Sequence, residues 1–160
     1  MNIADIKMLD TINGDGLRVS VFVSGCTLHC KGCFNKIAWD FNYGREFDFI
    51  EDEKKIFERI NNPKFNYSGL SILGGEPTDN YIDVVKLIYD YKKACPNKDL
   101  WIWSGRELED IKAYFPIFLQ ADYLVLGPFI ESQKNLNLRY RGSENQHIYR
   151  SGNKEIELVD

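Results

Sequence analysis

Apolar residues fall in short blocks along this chain, at two different spacings. Val19-Ser-Val-Phe-Val23, Leu70-Ser-Ile-Leu73, Leu100-Trp-Ile-Trp103 and Tyr123-Leu-Val-Leu126 are runs of strand length. Each ends in a glycine-bearing turn: Ser24-Gly25, Gly74-Gly75, Ser104-Gly105 and Gly127-Pro128. Between them apolar residues recur at helical offsets. Phe49, Ile56, Phe57 and Ile60 predict a helix stopped by Asn61-Asn62-Pro63. Tyr81, Val84, Val85, Ile88, Tyr91 and Cys95 predict a longer one closed by Pro96. Leu108, Ile111 and Phe115 mark a third, before Pro116. After Phe129 the pattern weakens, and His147-Ile-Tyr149 and Ile156–Val159 are candidates for short strands. Strands alternating with helices predict an α/β fold of parallel units. An eight-unit barrel needs about 250 residues, and this chain has 160. The expectation is one domain over residues 1–160, an open partial (β/α) barrel with mostly parallel strands. Its turns then gather at the carboxyl edge of the sheet, where ligands bind.

Composition changes little in that picture. Apolar residues are 44% of the chain, enough for a packed core. The net charge of −4 speaks against direct nucleic-acid binding. Lys134, Arg139, Arg141, Arg150 and Lys154 form a basic stretch, read either as a solvated tail or as a docking surface for an acidic partner or a nucleotide. The first residues carry no secretory pattern and no apolar run reaches membrane-spanning length, so no membrane association is expected and a cytoplasmic location is.

A reducing compartment turns attention to the cysteines, because clustered thiols there are metal ligands more often than disulfides. Cys26, Cys30 and Cys33 follow one another as C-x3-C-x2-C. Three thiolates from one loop are one too few for a closed four-ligand site. A 4Fe-4S cluster held this way keeps one iron free of protein sulfur, open to a substrate or cofactor. Zinc is the main rival. It would need His29, His147 or Cys95 as a fourth ligand. His29 adjoins Cys30, and Cys95 lies on the apolar face of a predicted helix, so the loop favours a cluster without excluding zinc.

Gly74-Gly75-Glu76-Pro77 ends the second predicted strand. It reads as a strand-to-helix turn or, beside the cysteine loop, as a site where backbone approaches a ligand and Glu76 meets an ammonium group. Ser104 and Arg106 after the third strand suit contacts to ribose or carboxylate, and equally a helix start. Asn13-Gly-Asp-Gly16 lacks the length and lysine of a phosphate loop and reads as a tight turn.

Taken together, these residues resemble a specific family. The chain is similar to the activases of anaerobic (class III) ribonucleotide reductase, within the radical S-adenosylmethionine glycyl-radical activases. The resemblance is carried by Asn13–Gly16 with Arg18, Phe22–Cys26 leading to Cys30, Cys33 and Asn35, Gly74–Pro77, Trp101–Gly105, Gly127–Phe129 and Arg141–Gln146. The wider superfamily often has an aromatic just before the third cysteine, where this chain has Gly32, and the chain departs from the family pattern at Arg106, where an aromatic is usual, and at Leu126, where an acid is frequent. The resemblance implies a radical S-adenosylmethionine domain. Cys26, Cys30 and Cys33 would hold one 4Fe-4S cluster, and Gly74, Gly75, Glu76, Pro77, Ser104 and Asn35 would contact S-adenosyl-L-methionine. An external one-electron reductant would drive homolysis of the sulfonium to methionine and a 5′-deoxyadenosyl radical. That radical would take a hydrogen atom from a glycine in the carboxyl-terminal loop of the reductase large subunit. Such chemistry needs no general-base residue, and none stands out in the sequence.

Overall fold

A computed structural model describes residues 1–152 and 155–160. Its frame is one eight-stranded mixed sheet in the order β3-β1-β2-β4-β5-β6-β7-β8. The four predicted strands are its centre: β2 (Leu17–Val23), β4 (Tyr67–Gly74), β5 (Asp99–Ser104) and β6 (Tyr123–Leu126), paired in parallel. Antiparallel strands extend it on both sides: β1 (Asn2–Asp10) and β3 (Arg45–Glu46) on one, β7 (His147–Gly152) and β8 (Glu155–Leu158) on the other. The sheet is therefore mixed, not mostly parallel. β1 and β3 lie outside the expectation from the sequence. In β1, charged Asp5 and Lys7 alternate with Ile6 and Met8, which dilutes the apolar signal, and β3 is two residues long.

Alternation along the central strands decides which face meets the helices. Val19, Val21, Val23, Leu70, Ile72, Leu100, Ile102, Leu124 and Leu126 pack into one core with Ile56 and Ile60 of α1 (Glu51–Ile60), Val84, Leu87, Ile88 and Tyr91 of α2 (Tyr81–Ala94) and Ile111 of α3 (Leu108–Tyr114). α1 carries Glu51, Asp52 and Glu53 in its first turn, where the helix dipole favours acids. Cys95 caps α2 and is buried in this core, accepting a hydrogen bond from Asn61 Nδ2 at 3.3 Å. The intervening strand residues face the other way. There Trp101, Val125 and Ile148 form a second cluster with Trp103, Tyr123 and Tyr140.

That helix-free face holds a buried arginine. Arg18 Nε donates to Ser71 Oγ at 2.7 Å, and its two terminal nitrogens donate to the carbonyls of Asp15 and Leu70, with Asp99 as counter-ion. Its guanidinium lies over the Trp101 ring. The Asn13 carbonyl accepts from Ser71 Oγ at 2.6 Å, so the Asn13–Gly16 loop closes over Arg18 at the amino edge of the sheet.

Candidate functional site: the cysteine cavity

The carboxyl ends of the parallel strands surround an open cavity on the helix-free face. Cys26, Cys30, Cys33, Gly74, Gly75, Glu76, Ser104 and Gly105 all line it, walled by Phe22, Leu73, Trp103, Val125 and Phe129. Three of the motifs read from the sequence thus converge on one space. Asn35 does not join them. It lies before the short turn Lys36–Trp39 and lines a neighbouring groove with Phe34 and Ile37. Pro77 is buried at the first position of the 3-10 turn Pro77–Asn80, behind the cavity wall.

The cysteine loop leaves β2 through Ser24-Gly25 and is pinned there by backbone. Gly25 N donates to Ala38 O, Glu76 N to Gly25 O, and Gly75 N to Val23 O at 2.7 Å. A Cβ on Gly75 would stand 2.4 Å from Gly25 O and 2.8 Å from Ala38 O. Glycine at this position lets the β4 turn lie against the root of the cysteine loop. Gly32 has φ of +76°, in the left-handed region that glycine adopts without a Cβ penalty. Phe34 follows Cys33 and is almost fully exposed.

All four cysteines are free thiols, with Cys26 buried and Cys30 and Cys33 half-buried. Burial pushes the Cys26 thiol pKa up, and the charges of Glu76 and Asp79 add to this. The backbone amides of His29 and Leu28 oppose it. The zinc alternatives are engaged elsewhere. His29 stacks on Trp39 with ring centroids 4.5 Å apart, His147 Nδ1 meets Asp160, and Cys95 is in the core. Among the described residues no three His, Cys, Asp or Glu side chains are grouped to hold a single metal ion. A single zinc draws its sulfurs to about 2.3 Å from one centre. Cys26, Cys30 and Cys33 line one cavity.

Glu76 is fully buried beside this cavity. Its Oε1 accepts from Thr78 N, Thr78 Oγ1 and Ser104 Oγ at 3.0, 2.8 and 2.7 Å, and its Oε2 accepts from Gly105 N at 2.8 Å. Burial pushes its pKa up against those hydrogen bonds, which stabilise the charged form. The carboxylate therefore fastens the β4 turn to the β5 turn, a role the sequence did not indicate. Residues 78–80, absent from the sequence reading, are the other fasteners. Asp79 accepts from Thr27 and Arg106, and Asn80 Nδ2 donates to Ser24 O at 2.9 Å. Their signal was a Thr-Asp-Asn run opening a helix, which reads as ordinary capping.

The closing Arg141–Gln146 motif is also a fastener. Asn145 Nδ2 donates to Pro128 O and Gln146 Nε2 to Gly127 O, which brings Gln146 to the cavity wall. Of the basic stretch, Arg139 pairs with Asp15, Arg141 with Asp160 and Arg150 with Glu157. These pairings reduce the stretch's value as a free docking surface. Lys154 lies outside the described residues. No helix among the described residues is long and apolar enough to cross a membrane.

A three-cysteine loop at the carboxyl edge of the sheet is compatible with an iron–sulfur protein, and comparison with known proteins gives that class. The family described as a 4Fe-4S single cluster domain matches residues 12–149. The chain is 37% identical over 153 residues to the anaerobic ribonucleoside-triphosphate reductase-activating protein of Haemophilus influenzae, covering 94% of this chain and 98% of that one. It is 34% identical to the protein of the same name from Escherichia coli K12, covering 93% and 98%. The corresponding protein of Enterobacteria phage T4 is 33% identical, covering 93% and 94%. The chain belongs to the family of anaerobic ribonucleoside-triphosphate reductase-activating proteins.

Proposed function

We propose that this chain is a radical S-adenosylmethionine activase that installs a glycyl radical on the large subunit of an anaerobic ribonucleotide reductase. The observation that carries this reading is the shared cavity of Cys26, Cys30 and Cys33 with Gly74, Gly75 and Glu76. The names of its relatives point to the same target. The three thiolates would hold a 4Fe-4S cluster. With S-adenosylmethionine bound and one electron from an external reductant, such a cluster supplies homolytic carbon–sulfur cleavage, whose 5′-deoxyadenosyl product abstracts the glycine hydrogen.

The chain's own residues have narrower tasks. Glu76 Oε2 accepts one hydrogen bond inside the protein and keeps lone-pair capacity for the ammonium group of the cofactor. Ser104 Oγ, already bonded to Glu76, completes that wall. Phe22, Trp103 and Phe129 give the cavity an apolar wall. In this reading residues 1–160 are one radical S-adenosylmethionine domain, and the sheet is an open partial barrel whose helix-free face admits the partner's glycine loop. The small cavity follows, since the substrate is a segment of another protein. Location in the cytoplasm, without direct nucleic-acid or membrane contact, belongs to the same proposal.

The test is anaerobic incubation of the reconstituted chain with a relative's reductase large subunit, reductant and S-adenosylmethionine. A glycyl-radical EPR doublet on the large subunit supports the proposal. Its absence, with an activase relative working in parallel, refutes it.

A further inference from the structure

Between Cys26 and Cys33 the loop makes few hydrogen bonds to the rest of the molecule, beside the His29–Trp39 stack and a 3.7 Å ion pair of Lys31 with Glu131. Cys33 N bonds to Cys30 O inside the loop itself. Among the described residues, the hydrogen bonds that leave residues 27–33 for the framework are the two from Thr27. Its amide and its hydroxyl both donate to Asp79 Oδ2, at 2.6 and 2.9 Å. The other carboxylate oxygen of Asp79 accepts from Arg106 Nη2 at 3.1 Å, and Arg106 Nε reaches Thr78 Oγ1 at 3.3 Å. The Asp79 side chain is 10% exposed and that of Arg106 29%, so the pair is largely shielded from water.

We infer that Asp79, held by Arg106, is a positioning residue that sets the cysteine loop through Thr27. The chain of contacts runs from the turn after β5, through the 3-10 turn after β4, to the residue next to Cys26. Each link is a hydrogen bond with at least one charged partner, the stronger kind. Arg106 pairs with Asp79 and keeps its carboxylate aimed at Thr27.

This inference rests on the cysteine loop being a ligand loop, as proposed above, and its test does not depend on that proposal. Amide exchange is measured by NMR on the chain without added iron, reading Cys33 N as the remote reporter and β4 as the internal reference. In Asp79→Ala, exchange at Cys33 is expected to rise about tenfold, as loss of charged hydrogen bonds implies, with β4 unchanged. Thr27→Ser keeps both donors and should match the parent. Thr27→Val loses the hydroxyl and should fall between, and so should Arg106→Gln. After reconstitution, Asp79→Ala should also alter the EPR line shape of the reduced cluster, and Thr27→Ser should not. Parent-like exchange at Cys33 in Asp79→Ala overturns the inference. So does an increase spread equally over β4, or a Thr27→Ser chain that behaves like Thr27→Val. If the parent chain takes up no cluster, the functional proposal fails, and the exchange series still decides this one.

Discussion

The Ser104 hydroxyl donates to Glu76 Oε1 at 2.7 Å, joining the turn after β5 to the turn after β4 beneath the cysteine cavity. Together with Gly105 N and both donors of Thr78, it makes a buried carboxylate the knot of the site. Removing that carboxylate leaves several buried donors without an acceptor. Glu76→Ala is expected to lower stability by about 2–4 kcal/mol in urea unfolding. Glu76→Gln should fall between the two, because its amide can accept through oxygen only and must turn one NH2 toward a donor.

Backbone contact at the cavity gives a contrast between two glycines. A Cβ on Gly75 meets the carbonyls of Gly25 and Ala38, which cannot move without shifting the cysteine loop. A Cβ on Gly105 meets chiefly the tip of the Leu28 side chain, which can rotate away. Gly75→Ala should cost about 2–3 kcal/mol and reduce iron uptake, while Gly105→Ala should cost below about 1 kcal/mol. Equal effects in thermal unfolding and iron analysis would contradict this packing.

Much of this arrangement was legible in the sequence. The strand runs at Val19, Leu70, Leu100 and Tyr123 and the helical spacing from Tyr81 to Tyr91 are local apolar patterns, and the structure places elements at each. The cysteines and Gly74–Glu76 could be brought together because parallel strands deliver their turns to one edge. Strand β1 was hidden by its exposed charges, and the edge strand β3 by its length. The connections of Asp79 to Thr27 and of Glu76 to Ser104 were hidden for a different reason. Both join residues far apart in the chain, and Asp, Ser and Thr beside a helix start have an ordinary local use. The arginines after Lys134 read as a basic patch because their partners Asp15, Glu157 and Asp160 are distant or follow later.

Away from the cavity, Glu53 supplies a pH dependence. Burial, then the charge of Asp90, raises its pKa from the ordinary 4.5 to about 7, with Lys86 opposing. Its Oε1 is buried without a hydrogen-bond partner. A carboxyl with a folded-state value above its unfolded value favours folding when protonated. Its contribution is complete below about pH 4.5 and is lost as pH rises through about 7. The full shift corresponds to ~3 kcal/mol, which solvent near the side chain reduces to ~1–2 kcal/mol. Glu53→Gln should therefore stabilise the chain by that amount at pH 8 and by almost nothing at pH 4.5, measured by urea unfolding at both values.

The cysteines should separate cleanly into two classes. Cys26→Ser, Cys30→Ser and Cys33→Ser should each lose the cluster on reconstitution. Cys95→Ala should keep it and cost about 1–2 kcal/mol, as a small buried group removed from the α2 core does. Iron content and thermal unfolding of the four variants check both halves.

The central claim, that the three-cysteine cavity is a radical S-adenosylmethionine site, is tested most directly under anaerobic conditions. The chain is reconstituted with iron and sulfide, reduced, and mixed with S-adenosylmethionine. Iron per chain, the EPR signal of the reduced cluster and 5′-deoxyadenosine are then measured together, with and without the reductase large subunit. The account predicts about four irons per chain, a signal that changes when S-adenosylmethionine is added, and formation of 5′-deoxyadenosine. Binding of one zinc with no cluster contradicts it, as does a cluster that leaves S-adenosylmethionine uncleaved even with the large subunit present.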